Sequence, residues 1–150
     1  MSILILCHGN ICRSPMAEGI LKHKFKQQSK NILVESAGFE PYHVGDEADI
    51  WTIQTLQKHQ ISIAGKKARL IKLDDFDRFD KIYFMDDNNY SHLKNFARNS
   101  KDLEKVDYIM NVLEPKNNIE VPDPYYGGKD GFDQVYEMLD QACQKITDAY

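Results

Sequence analysis

The sequence predicts an α/β sandwich, in which the strands of a parallel sheet alternate with the helices that cover it, and three observations carry that expectation. Ile3-Leu4-Ile5-Leu6 is a short unbroken apolar run that soon meets a Gly-Asn turn, the pattern of a strand buried on both faces. A helical stripe and a second strand follow within about thirty residues, which makes a βαβ unit with the usual right-handed crossover. The alternation then continues to the end of the chain. With 150 residues, 42% apolar and 28% charged, there is material for one domain, residues 1–150, around one core.

The elements follow in order. After the first strand, Ser14 suits a helix N-cap, Pro15 the first helical position and Glu18 an acidic first turn, while Met16, Ile20, Leu21 and Phe25 form an apolar stripe. Ile32 to Ser36 reads as the second strand, ended by Gly38. Ala48 to about His59 reads as a helix. Lys81 to Met85 is a third strand running into the acidic pair Asp86-Asp87, with a polar helix from about Asn88 to Arg98. Val106 to Val112 is the fourth strand, and Phe132, Val135, Tyr136, Leu139, Cys143 and Ile146 recur at helical spacing to the end. The Gly- and Pro-rich stretch from Val121 to Gly131 reads as one functional loop.

Composition narrows the function. The 23 acidic and 19 basic side chains leave a net charge of -4, which argues against nonspecific binding of nucleic acid or anionic lipid, so an anionic ligand needs a local positive field. No run approaches the roughly 18 apolar residues of a membrane span, and the first residues lack the basic start of a signal peptide. Membrane insertion is not expected, and the cytoplasm is the expected location. Three cysteines do not make a secreted disulfide framework, and at least one thiol is expected to be free.

The segment Cys7-His8-Gly9-Asn10-Ile11-Cys12-Arg13-Ser14-Pro15 carries the chemistry. It lies where ligands bind in open parallel sheets, beyond the carboxyl end of a strand, and its backbone N–H groups would converge at the positive end of the following helix. Gly9 permits close backbone approach, Asn10 tolerates a left-handed conformation, and the Arg13 guanidinium can hold two phosphate oxygens. A thiol in that field is expected to be a thiolate at neutral pH, and a thiolate facing a phosphate cradle can attack phosphorus to form a phosphocysteine. Ser14 is placed to steady the thiolate when it leaves. A Walker A loop would need Gly-Lys-Ser or Gly-Lys-Thr, which is not here, and a zinc site on Cys7, His8 and Cys12 lacks a second cysteine pair.

Taken together, Cys7 to Pro15, Ser36-Ala37-Gly38, Val44-Gly45 and Asp123-Pro124-Tyr125-Tyr126-Gly127 resemble the low-molecular-weight protein tyrosine phosphatases. The resemblance runs through essentially the whole chain. Its loop pattern C-x-x-G-N-x-C-R-S-P and the distant D-P-Y are two separate elements that agree in identity and order. The resemblance implies a four-stranded parallel sheet flanked by helices on both faces, flavodoxin-like, and hydrolysis of phosphotyrosine proteins or peptides with no cofactor and no metal. A tyrosine kinase is the partner that such chemistry implies. By position Cys7 resembles the nucleophile, Arg13 the phosphate and transition-state binder, Asn10 the residue that shapes the loop, Ser14 the hydroxyl bonded to the thiolate, and Asp123 the general acid. Expelling a phenolate without a proton is slow, so such an acid is required.

Tyr42, Tyr125 and Tyr126 fall where the family places the rim of its pocket. Two residues depart from the pattern: His8 replaces an apolar residue, and Lys66 stands where a histidine often braces the loop asparagine. Cys12 could trap an oxidised Cys7 as a reversible disulfide, whereas Cys143 sits on the apolar stripe of the last helix as core. The rival within the fold, a thiol-dependent arsenate reductase, needs further cysteines, and none lies between Cys12 and Cys143. The rival from another class is a non-catalytic phosphate- or phosphopeptide-binding module.

Overall fold

Strands β1 (Ser2–Cys7), β2 (Leu33–Gly38), β3 (Lys81–Phe84) and β4 (Val106–Tyr108) pair in parallel in the order β2-β1-β3-β4. The computed structural model describes residues 1–150. The register sets Cys7 beside Gly38, Ile5 beside Tyr83 and Phe84 beside Tyr108. The period-2 alternation of a strand sends the apolar run of β1 both ways. Ile3 and Ile5 join one core with Met16, Ile20, Leu56, Phe132 and Leu139, and Leu4 and Leu6 join a second with Phe76, Ile82, Phe84 and Leu93. Helices α1 (Arg13–Gln27), α2 (Ile50–Lys58) and α6 (Gly128–Asp148) cover the first face. Helices α3 (Asp75–Arg78), α4 (Asp87–Phe96) and α5 (Ser100–Glu104) border the second. The expected three-layer parallel architecture is the one observed. No helix is long and apolar enough to cross a membrane.

Several boundaries differ from expectation, each for a local reason. Ser14 is not the cap of α1: Cys12 holds that position without a side-chain cap, because the Ser14 hydroxyl is taken by Asn10 and Cys7. Pro15 still falls in the first turn, where its missing N–H costs nothing. Glu18 lies beyond the first turn, 5% exposed and directed at Ser36. The fourth strand stops at Tyr108, and Ile109–Val112 is a 3₁₀ turn. Asp107 explains the break, since its carboxylate accepts from the Tyr108 N–H (2.9 Å) and from Asn111 (2.7 Å), offering local partners in place of a ladder. Helices α3 and α5 were not expected, being too short to register as a periodic stripe.

β1 lies inside the sheet, with β2 on one side and β3 on the other, so the chain reverses its winding direction between β1 and β3. The carboxyl ends of those strands therefore open the crevice in which open α/β sheets bind ligands.

Candidate active site

The loop that leaves β1 turns through Asn10, whose φ of 59° is the left-handed conformation that asparagine tolerates. Asn10 is 1% exposed and fixes the loop from beneath. Its amide donates to Ser14 Oγ (2.8 Å) and Ser36 Oγ (2.9 Å), and its carbonyl accepts from the Arg69 N–H (3.0 Å). Gly38 lets β2 pass directly under the turn: a Cβ there would lie 2.9 Å from both Asn10 N and His8 O.

The result is a row of unpaired donors. The N–H groups of His8, Gly9, Asn10, Ile11 and Cys12 find no acceptor within the protein. At the N-terminus of α1 they add to the positive end of the helix, which is the arrangement of an anion cradle. Cys7 Sγ lies 2.9 Å from Ser14 Oγ in the same buried corner. His8, Gly9, Ile11, Cys12 and Arg13 from the loop join Cys7, His43, Asp123 and Tyr125 around a cavity of about 120 Å³. The structure thus brings together the distant Asp123 and the loop.

Arg13 is held from behind. One of its nitrogens, Nη1, donates to Asp86 Oδ2 (2.7 Å) and to the Val121 carbonyl (2.8 Å), and the residue lines the cavity. Burial alone would lower the Arg13 pKa, but Cys7 and Asp86 outweigh it and hold the pKa above the ordinary value. Asp86 has a second duty, since its other oxygen caps α4 through the Asn89 N–H (2.9 Å). The acidic pair after β3 was visible in the sequence, yet nothing local linked it to Arg13 across 73 positions.

Asp123 caps the 3₁₀ turn Pro124–Gly127 by accepting from the Tyr125 N–H (3.0 Å), and its side chain is exposed at the cavity. Both ends of its loop are tied down. The Val121 N–H donates to the Met85 carbonyl at the end of β3 (2.9 Å), and the Tyr125 hydroxyl donates to Asp49. The Asp49 N–H in turn donates to the Ile11 carbonyl (2.9 Å), so Asp49 couples the Asp123 loop to the loop after β1. Burial, then the bond to Asp49, pushes the Tyr125 pKa up. Sequence reading missed Asp49, because it looks like any helix cap. Gly131 completes the arrangement: a Cβ there would stand 2.4 Å from the Pro124 carbonyl, so α6 can pack against this turn only with glycine.

The remaining candidates divide. Tyr125 lines the cavity and packs edge-on against Phe132, with centroids 5.7 Å apart. Tyr42 and Tyr126 are 78% and 94% exposed and stand outside the lining, where His43 appears instead. Lys66 braces the loop through intermediaries: Nζ donates to the Ser36 carbonyl (2.9 Å) and lies 3.4 Å from Glu18, which accepts from the Ser36 hydroxyl (2.6 Å). Burial lowers the Lys66 pKa against the opposing pull of Glu18. Cys12 is buried, and its thiol is pushed up to about 12 by burial and by the neighbouring Cys7. Cys143 is fully buried in the fold's first core, its sulfur 3.8 Å from the Ala17 carbonyl.

Comparison with known proteins agrees with this geometry. The family pattern described as low molecular weight phosphotyrosine protein phosphatase matches residues 2–149. Low molecular weight phosphotyrosine protein phosphatase 1 of Drosophila melanogaster is 38% identical over 143 residues, covering 94% of this chain and 91% of its own. The crystal structure of YfkJ from Bacillus subtilis has a TM-score of 0.90 at 33% identity, covering 99% of this chain and 93% of that one. A Drosophila arginine phosphatase has a TM-score of 0.91 at 31% identity, covering 100% and 98%. With the match spanning nearly every residue and the fold shared with a solved relative at a TM-score of 0.90, the chain belongs to the low molecular weight phosphotyrosine protein phosphatase family of hydrolases.

Proposed function

We propose that this protein hydrolyses phosphotyrosine in proteins and peptides through a phosphocysteine on Cys7, with Arg13 binding the phosphoryl group and Asp123 acting as general acid. The unpaired N–H groups from His8 to Cys12, in the loop that lines one cavity with Cys7, carry this reading. They offer donors to the equatorial oxygens of a phosphoryl group, whose charge they stabilise best as it flattens in transfer.

In the first step the Cys7 thiolate attacks phosphorus, the P–O bond to the tyrosine breaks, and the Asp123 carboxylic acid gives its proton to the departing phenolate oxygen. In the second, the Asp123 carboxylate takes a proton from water as that water attacks phosphorus. The P–S bond then breaks and phosphate leaves. Because Ser14 Oγ already accepts from Asn10, its own hydrogen is free to point at Cys7 Sγ and stabilise the thiolate in both steps.

A solved neighbour is an arginine phosphatase, so the fold alone does not choose the leaving group. The composition of the cavity walls supports an aromatic one. Ile11 and Tyr125 offer apolar faces to a flat aromatic ring, while Tyr42 and Tyr126 stand exposed for the flanking peptide. Cys12 is read as the resolving thiol for an oxidised Cys7. A thiolate enzyme needs a reducing compartment, which favours the cytoplasm, and a tyrosine kinase is its natural counterpart. Residues from 7 to 125 converge on one cavity, which supports 1–150 as one catalytic domain.

Matched peptides carrying phosphotyrosine, phosphoserine or phosphoarginine test the specificity. Phosphotyrosine is expected to be turned over with a kcat/KM at least about tenfold above the others, a difference of about 1.4 kcal/mol at the transition state. A preference for phosphoarginine would overturn the tyrosine reading while leaving the cysteine chemistry intact.

A further inference from the structure

Beside the cavity, three side chains from three separate segments converge. His8 follows the nucleophile, Glu40 lies in the loop after β2, and His92 projects from α4. One ligating atom from each, an imidazole nitrogen or a carboxylate oxygen, lies within 4.8 Å of the others. His8 itself lines the cavity.

We propose that His8, Glu40 and His92 form a binding site for a divalent transition-metal ion of the Zn²⁺ class at the mouth of the Cys7 cavity. Two imidazoles and one carboxylate are a donor set that suits Zn²⁺, Co²⁺ or Ni²⁺, whereas Mg²⁺ and Ca²⁺ prefer all-oxygen shells. Bonds of about 2.0–2.1 Å to a tetrahedral ion need donor atoms about 3.4 Å apart, so closure requires side-chain rotation of about an ångström. The exposed His8 and half-buried Glu40 and His92 can make that adjustment.

The frame around the three groups is already fixed. The His8 carbonyl accepts from the N–H groups of both Phe39 (2.9 Å) and Glu40 (3.1 Å), which locks the backbone of one ligand to that of another. The His92 ring stacks on Phe39 with centroids 5.1 Å apart and planes 17° apart, which fixes its orientation. His8 and His92 face each other at 6.3 Å between centroids. The side chains of all three reach solvent, and their donor atoms face one another. The cysteine-based alternative is unsuited, because the Cys12 thiol, pushed up by burial, resists the deprotonation that a metal–thiolate bond needs.

Calorimetric titration of the full chain with Zn²⁺, backed by the visible spectrum of the Co²⁺ form, tests the assignment in wild type, Glu40→Gln, His92→Ala and Cys7→Ser. Glu40→Gln is close to isosteric at a half-buried position, so it guards against a folding defect in His92→Ala. One equivalent of Zn²⁺ is expected to bind wild type and Cys7→Ser alike. Affinity should fall by about tenfold or more in Glu40→Gln and His92→Ala, and Co²⁺ should give d–d bands without a thiolate charge-transfer band. Absence of stoichiometric binding overturns the site, as does binding that survives both ligand variants, whether or not it is lost in Cys7→Ser. The readout is binding, so its failure is separate from any failure of the phosphatase reading.

Discussion

Asn10 shows how one side chain can hold a reactive loop. Its left-handed backbone makes the turn, and its amide closes a chain of hydrogen bonds through Ser14 to Cys7 and through Ser36 to Glu18 and Lys66. The local members of that chain were legible: a glycine, an asparagine and an arginine after a strand-end cysteine have few other uses. Asp86, Asp49 and the Glu18–Lys66 pair were not, because their roles exist only once distant segments meet, and each reads locally as a cap or a surface charge. Cys12 yields a prediction at this scale. Its thiol near 12 is the protonated form at neutral pH, and the Cys7 charge is one of the causes; oxidation of Cys7 to a neutral sulfenic acid removes that contribution. Peroxide-treated wild type is therefore expected to regain activity with a thiol reductant, and Cys12→Ser is expected not to. Because the thiolate fraction of a group near 12 rises about tenfold per pH unit below its pKa, disulfide formation should quicken from pH 7 to pH 9. Equal recovery in Cys12→Ser would remove Cys12 from this role.

At the scale of elements, the site is assembled by two close approaches that only glycine allows. Gly38 brings β2 under the cradle, and Gly131 brings α6 against the turn that carries Asp123. The obstacles are backbone atoms, so an added methyl must move the loop or the turn rather than a flexible side chain. The two substitutions should separate binding from proton donation. Gly38→Ala is expected to weaken competitive inhibition by inorganic phosphate together with activity. Gly131→Ala displaces the acid while sparing the cradle, and a shift approaching an ångström can cost up to about 100-fold in kcat. Inhibition by phosphate should remain near the wild-type value in Gly131→Ala, and a parallel loss in both variants would show that the two halves are not separable. The strands β1 to β3 and helices α1, α2, α4 and α6 were readable from periodicity. The shortened β4 and the brief α3 and α5 were not: Asp107 ends β4 and Asn99 caps α5 by local hydrogen bonds, and α3 is a single turn too short to show a period.

Across the whole molecule, a chain of net charge -4 can attract an anion only by concentrating positive potential at one point of its topology. The order β2-β1-β3-β4 makes the carboxyl ends of β1 and β3 the switch point, with Cys7 at one and Asp86 just beyond the other. The Val121–Gly131 stretch, anchored at Met85 and at Asp49, then carries Asp123 over the same crevice. Sequence order alone could not place Asp123 near Cys7; the resemblance supplied that expectation and the packing of α6 supplies the physical cause. The central claim, a cysteine nucleophile working with a remote acid, is tested most directly by the hydrolysis of aryl phosphates of graded leaving-group pKa by wild type, Cys7→Ser and Asp123→Ala without added metal. Cys7→Ser is expected to fall to background. Asp123→Ala is expected to lose about 100-fold to 10,000-fold on the poorest leaving group and progressively less on better ones. Activity retained in Cys7→Ser, or a loss in Asp123→Ala that is the same for every leaving group, would contradict the account.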